Sequence, residues 1–306
     1  MNSLPQITVI LPTYNRRNFL PSAIKCIADQ NFKAWRLLVL NDGGEDVGDI
    51  VKKFNDPRIE YIDLPHQGKP ATVNHALQLV KSKYIAYMDD DDEVFPEHLE
   101  LLFEAAELNN SAFVYSDTYL TVLDENGNVV SKTIENDTDV IYEDIRFYNR
   151  INHKQILHTK ELADKVGLYD DRMSILIDYD YIKRLAKLET PYHVHEITGN
   201  HYLRGNCHCQ ISGMWTKSPQ KTGESLLAFF EKDPEGLSQV YQNNMHVKIE
   251  NDTLKSSLAD KNAENDSLKM HFKAINGELP AIKASIAFKL GTLLAKPKKL
   301  QQLKSV

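Results

Sequence analysis

Ile7-Thr-Val-Ile-Leu11, Trp35-Arg-Leu-Leu-Val-Leu40, Arg58-Ile-Glu-Tyr-Ile-Asp63 and Lys83-Tyr-Ile-Ala-Tyr-Met88 are four short runs rich in β-branched, aliphatic and aromatic residues. Helical spacing separates them. Leu20, Ile24 and Ile27 share one face between Phe19 and Gln30, Val47 to Phe54 reads as a second helix, and Ala71, Asn74, Leu77 and Val80 pattern a third from Pro70 to Val80. Strands alternating with helices give βαβαβαβ, which demands a parallel sheet covered by helices. Continuous apolar runs fit strands buried on both faces.

Beyond Asp92 the pattern changes. Pro96 to Leu108 reads as a helix, with the proline suited to its first turn. Ala112 to Val122 and Asn128 to Ile134 read as strands joined around Asp124-Glu-Asn-Gly127, a turn sequence. Asp178 to Leu188 is patterned as a helix and Tyr192 to Leu203 as a strand.

The chain has 306 residues, 42% hydrophobic and 26% charged, which are globular values. Its net charge of −7, from 36 basic and 43 acidic side chains, disfavours a nucleic-acid partner. Three cysteines, Cys26, Cys207 and Cys209, are too few for a disulfide framework and suit a reducing compartment. The polar start, Met1 to Gln6, and the brevity of Ile7 to Leu11 do not resemble a secretion signal, and no window reaches the ~18 apolar residues of a spanning helix. The expected location is cytoplasmic, peripheral on the inner face of the cell membrane.

The reason for the membrane lies at the C-terminus. Ala281 to Val306 carries no acidic residue but has Lys283, Lys289, Lys296, Lys298, Lys299 and Lys304 among Ile, Phe and Leu. A basic amphipathic helix of this kind binds anionic lipid surfaces, although packing on the catalytic domain or a partner is an alternative. Before it, Val240, Val247, Leu254, Lys261, Leu268 and Ile275 recur every seven residues, with Asn251, Leu258, Asn265 and Phe272 as companions. That heptad seam suggests a coiled coil and a homo-oligomer; its polar positions would fix register at some cost in stability. The expected organisation is a catalytic domain at 1–215, a helical linker at 216–236, a coiled coil at 237–278 and a basic amphipathic tail at 279–306.

In a parallel sheet, ligands sit beyond the carboxyl ends of the strands. Four polar segments follow the four strands: Pro12-Thr-Tyr-Asn15, Asn41-Asp-Gly-Gly44, His66-Gln-Gly-Lys69 and Asp89-Asp-Asp-Asp92. Neither the dinucleotide fingerprint GxGxxG nor the phosphate loop GxxxxGK[ST] is present, and the acidic run lacks the glycine of a calcium-binding EF-hand. Adjacent carboxylates repel unless solvated or neutralised, so the run is either an acidic turn or a site for Mg2+ or Mn2+, which favour oxygen ligands and substrate phosphates.

ITVILPTYNR, VLNDGG, HQGKPATVNHAL and YIAYMDDDDEVFPEHL, in this order and spacing, resemble the family 2 glycosyltransferases of the GT-A fold, over about Ile7 to Gly205. The resemblance implies a nucleotide-diphospho-sugar transferase fold of class α/β, with a mostly parallel Rossmann-like sheet, helices on both faces and a C-terminal helical extension. It implies that Pro12, Thr13 and Tyr14 line a nucleotide pocket, that Asp42 contacts the base, and that Lys69 approaches the nucleotide. Asp89-x-Asp91 overlays the family's DxD motif. Asp91 would then bind the metal, Mn2+ or Mg2+, that bridges the diphosphate, and Asp89 or Asp90 would lie near it, at the ribose or sugar, with the register open by one.

Leu176-Ile-Asp-Tyr-Asp180 resembles the family's ED motif, with Ile177 in place of the glutamate. Asp178 would be the general base for an acceptor hydroxyl and Asp180 the fallback, against the plainer reading of Asp178 as a helix cap. His193, His195, His201, Cys207, His208 and Cys209 lie within seventeen positions, in a spacing that fits no standard zinc pattern. One of the histidines, such as His201 or His208, is the expected contact to metal, pyrophosphate or acceptor, with Arg204 an equal partner for phosphate.

The implied activity is inverting transfer from a nucleotide-sugar, UDP-linked in the first instance, to a hydroxyl of a glycan or lipid-linked acceptor of the bacterial surface-polysaccharide type. Two alternatives stand beside it: an inactive GT-A-like scaffold that works through its coiled coil, and a sugar nucleotidyltransferase.

Overall fold

The computed structural model describes residues 5–204 apart from Asn136 and Tyr148, together with Ala228, Phe229, Lys232 and Asp233. The chain divides into two compact units, one of Met1–Asp171 with Ile177–His208, the other of Arg172–Leu176 with Cys209–Val306. Of the linker expected at 216–236, only those four residues are described. The coiled coil at 237–278 and the basic tail at 279–306 lie outside the described residues. Among the described residues, no helix is long and apolar enough to cross a membrane.

In the first unit the alternation read from the sequence is present: β1 (Ile7–Thr13), α1 (Leu20–Ala28), β2 (Trp35–Asp42), α2 (Gly48–Lys53), β3 (Ile59–Leu64), α3 (Lys69–Leu79) and β4 (Tyr84–Tyr87). There follow β5 (Glu93–Val94), α4 (His98–Leu108), β6 (Phe113–Leu123), β7 (Val129–Glu135), α5 (Tyr142–Phe147), a 3-10 turn at His153–Gln155, β8 (Ile156–Thr159), α6 (Lys160–Val166), α7 (Ile177–Leu188) and β9 (Tyr192–Arg204).

The strands form one sheet in the order β3-β2-β1-β4-β8-β6-β9-β5, with β7 paired to β6. β3, β2, β1 and β4 run parallel. The second half is mixed: β8 is antiparallel to β4 and β6, β9 is parallel to β6, and β5 is antiparallel to β9. The short β8 is the splice between the halves, and it is too brief to show a period in the sequence.

Burial explains the pattern. Ile7, Val9 and Leu11 of β1 and Trp35, Leu37 and Val39 of β2 pack with Leu20, Ile24 and Ile27 of α1 and Leu99 and Leu102 of α4 in one core. The alternate positions Ile10, Leu38 and Leu40 are equally buried, and α3 packs against β1 and β2. Both faces of the parallel half are therefore covered, as continuous apolar strands require. β3, at the sheet edge, is only half-buried.

Candidate active site

The four polar segments converge because they follow the carboxyl ends of four parallel neighbours, β1 to β4. Gly43, at φ +69°, lies so close to the loop after β3 that a Cβ there would stand 2.3 Å from the His66 amide nitrogen. Only glycine allows this approach. The buried Asp42 completes the junction. Its Oδ1 accepts from the Gln67 amide at 2.9 Å, its Oδ2 from the Gly68 amide at 3.0 Å, and its Oδ2 lies 2.9 Å from His66 Nδ1. Asp42, expected to contact a base, thus first orders the turn that starts α3. Beside it, Tyr14 stacks on His66 with centroids 4.3 Å apart, and Tyr14 is 45% exposed. Pro12 is half-buried at the end of β1.

The acidic run is two-sided. Side-chain exposure alternates: 24% at Asp89, 8% at Asp90, 26% at Asp91 and 7% at Asp92. Asp90 accepts from the buried Thr13 hydroxyl at 2.7 Å and meets Arg16, tying the run to β1. Burial, which outweighs Thr13 and Arg16, pushes the Asp90 carboxyl up to about 7. Asp92 accepts from Lys154 Nζ at 2.9 Å, a pair in which the lysine is fully buried. Asp91 pairs with Arg16, and its carbonyl accepts from Arg204 at 3.1 Å. The Arg204 guanidinium lies over the Phe19 and Tyr202 rings.

Asp89 looks the other way, toward α7. Lys69, the first residue of α3, places Nζ 2.8 Å from Asp89 Oδ1 and 2.9 Å from Asp178 Oδ2. Burial alone would lower the lysine's basicity, but Asp178 and Asp89 reverse the effect and hold it above the ordinary lysine range. Burial would likewise raise Asp89; Lys69 and then His153 drive it well below the usual carboxylate range. Asp178 lies in the first turn of α7, within the helix rather than at its cap. Its Oδ1 is buried and has no hydrogen-bond partner, with His153 Nδ1 3.5 Å away. Asp180 is fully buried and accepts from Arg184 Nε at 2.9 Å.

The residues fit a divalent cation. Asp89 and Asp91 are the two carboxylates of the run that face outward, and hard oxygen donors suit Mg2+ and Mn2+. Asp89, His153 and Asp178 also bring one donor atom each within 4.8 Å of one another, and the orphaned Asp178 Oδ1 is the polar atom there that lacks a partner.

Some residues were not legible as site residues in advance. Arg16 follows directly on the Pro12-Thr-Tyr-Asn15 segment and ends the motif ITVILPTYNR, its two signals in the sequence. His153 and Lys154 carried none, since a lysine reads as surface. His201 Nδ1 lies 2.9 Å from Glu135 Oε2, and Asn152 donates to the same oxygen at 3.0 Å. Burial weakens the basicity of His201, but the bond to Glu135 more than offsets this and raises it. His208, Cys207 and Cys209 lie outside the described residues.

A half-parallel, half-mixed sheet thus carries these four strand-end segments on one rim. A family model described as Glycosyl transferase family 2 matches residues 8–177, so the chain belongs to that family. The putative colanic acid biosynthesis glycosyl transferase WcaA of Escherichia coli K12 is 29% identical over 210 residues, 65% of this chain and 72% of WcaA. Among solved structures, S. aureus TarS 1–349 in complex with UDP-GlcNAc matches with a TM-score of 0.57 at 17% identity, over 73% of this chain and 65% of that one. The mannosyltransferase PcManGT from Pyrobaculum calidifontis, in complex with GDP-Man and Mn2+, matches with a TM-score of 0.54 at 12% identity, over 97% of this chain and 88% of that one. At these identities the two structures establish the fold.

Proposed function

We propose that this glycosyltransferase moves a sugar from a nucleotide-sugar, with UDP the first candidate, to a hydroxyl of a surface-polysaccharide or lipid-linked acceptor, inverting the anomeric centre with Asp178 as general base. The observation that carries the reading is the Lys69 bridge. It holds Asp178 beside Asp89 by one oxygen and leaves the other, Oδ1, without a hydrogen-bond partner, 3.5 Å from His153 Nδ1. An acceptor hydroxyl placed there would give its proton to Oδ1 as its oxygen attacks the anomeric carbon. The bond from that carbon to the diphosphate breaks on the opposite face, and its electron pair leaves with the diphosphate. A single displacement of this kind inverts configuration.

Asp91 and Asp89 would hold Mn2+ or Mg2+. When bound, the ion supplies electrostatic stabilisation of the leaving diphosphate. Arg16, Lys69 and Arg204 stand at the same rim and supply fixed positive charge for phosphate oxygens. The exposed Tyr14 ring, held by its stack on His66, offers a platform for the base. The polysaccharide acceptor is supported by the likeness to WcaA, and the UDP donor by the UDP-GlcNAc complex of TarS, which shares the fold. The basic tail at 281–306 would hold the enzyme at an anionic membrane.

The test is thermal denaturation with each nucleoside diphosphate, with and without Mn2+, since a ligand of the folded state raises the midpoint by mass action. A Mn2+-dependent rise with UDP alone supports the reading. No rise with any nucleotide overturns it.

A further inference from the structure

Three strands away from β4, at the start of β9, stands a second cluster that the transfer reaction does not use. β9 carries a bulge: Ser116 pairs with Val194 but Asp117 pairs with Ile197, so His195 and Glu196 are skipped. Bulges re-aim side chains. Here the His193 and His195 rings come to 4.0 Å between centroids. Both turn a nitrogen toward Asp139, distant in sequence, in the segment between β7 and α5. His193 Nδ1 lies 3.0 Å from Asp139 Oδ1, and His195 Nε2 lies 3.3 Å from the same oxygen.

The tautomer decides what this means. His193 is buried, with 3% of its side chain exposed, and its Nε2 lies 2.7 Å from the buried Asp117 carboxylate. In the tautomer that donates from Nε2 to Asp117, that bond uses the ring's proton. In the neutral ring Nδ1 is then a bare lone pair aimed at a carboxylate oxygen, an acceptor facing an acceptor. Something positive must lie between them, either a proton or a metal ion. Three features favour the metal. Donors about 2.0–2.1 Å from a tetrahedral Zn2+ lie about 3.3 Å apart, close to the separations seen. A carboxylate behind a histidine ligand is the usual way that ring is oriented on a metal. The ring is also fixed from the side, stacked on Tyr115 at 4.5 Å and 6°.

We propose that Asp139, His193 and His195 form a binding site for a divalent transition-metal ion, Zn2+ by the chemistry of two imidazoles and a carboxylate, with Asp117 orienting His193. The fourth position faces solvent, since Asp139 and His195 are 76% and 64% exposed. The ion would staple the segment around Asp139 onto β9. That segment is already held by Tyr115, whose hydroxyl accepts from the Val140 amide at 3.1 Å and donates to the Thr138 carbonyl at 3.3 Å. The zinc pattern missing from the histidine and cysteine spacing is thus supplied by an aspartate more than fifty positions upstream. A second imidazole and a single carboxylate separate this site from the rim, where His153 is the one imidazole among carboxylates that suit Mg2+ or Mn2+, and the inference stands whether or not the transfer reading does.

The experiment is isothermal titration of chelator-treated full-length protein with Zn2+ at neutral pH, in excess Mg2+ to occupy the carboxylate rim, for the wild type, His195→Ala and Asp117→Asn. His195 is exposed, so its removal leaves the fold intact, which circular dichroism verifies. The expected result is one equivalent bound by the wild type, none at this site in His195→Ala, and an affinity about 10–100-fold weaker in Asp117→Asn. Zn2+ should also raise the wild-type thermal midpoint and leave that of His195→Ala unmoved. Absence of uptake by the wild type, or uptake unchanged in His195→Ala, overturns the proposal.

Discussion

Lys69 and Asp178, 109 residues apart in the chain, meet at 2.9 Å, and the same ammonium holds Asp89 at 2.8 Å. The start of α3 and the start of α7 are thereby joined at the end of β4, and the proposed base is positioned by a side chain from the helix that follows β3.

Replacing Asp178 with Asn keeps the shape and removes the base. Turnover should fall by about 10²- to 10⁴-fold, the usual worth of general base catalysis, while nucleotide affinity stays near wild type. Steady-state rates paired with UDP titration check both halves. Unchanged turnover would remove Asp178 from the chemistry.

Asp91→Ala removes an outward carboxylate that serves no core contact. It should abolish the stimulation of activity by Mn2+ without shifting the unfolding midpoint by more than a degree or two, since the site is partly exposed and Arg16 keeps its pair with Asp90. Initial rates across a Mn2+ series read it out. Persistent stimulation would take the metal away from Asp91.

Lys154 and Asp92 make the opposite case. Both are buried, so Lys154→Met leaves a buried carboxylate alone and should cost about 3–5 kcal/mol, whereas Lys154→Met with Asp92→Leu should recover most of it. Urea unfolding of the two variants measures the difference. Equal losses in both would mean that the ion pair is not what the lysine contributes.

His98 and His158 are buried and neutral. Burial lowers His98 to about 3 and His158 to about 4, against about 6.5 for an unfolded histidine. Below pH 6.5 the unfolded chain binds two protons that the folded chain refuses. Stability should therefore fall with acidification between roughly 6 and 4.5, these two groups contributing up to about 2.7 kcal/mol per pH unit and Asp90, whose folded carboxyl is raised to about 7, opposing them by up to about 1.4. Urea midpoints across that window test it. His98→Gln should remove about half of the histidines' share of the slope; a slope left unaltered would show that His98 is protonated in the fold.

Deleting residues 281–306 should release the protein from vesicles containing anionic lipid, measured by co-sedimentation. Retention by the shortened chain would assign the anchor elsewhere.

The parallel half of the fold was readable because β1 and β2 are long apolar runs with both faces buried and α1 lays Leu20, Ile24 and Ile27 along one face. The strand-end segments then located the rim. The second half resisted reading for physical reasons. β5 has two residues, and β8 and α5 carry polar side chains in place of the continuous apolar run that made the equally short β4 readable. Lys154 and His153 are polar side chains whose burial is set by partners far away in sequence, Asp92 and Tyr169. The register of the acidic run was open by one, because four identical side chains carry no phase; their alternating exposure supplies it.

That alternation makes the run less redundant than four equal letters suggest. Odd positions face the cleft and even positions anchor the chain, so parity, not composition, carries the information. Losing a single aspartate would leave three and, with the chain before the run in register, bring Glu93, now tied to Asn200 and Tyr202, to the place that meets Lys154. The segment should thus tolerate Asp-to-Glu changes at its outward places far better than any change in its length.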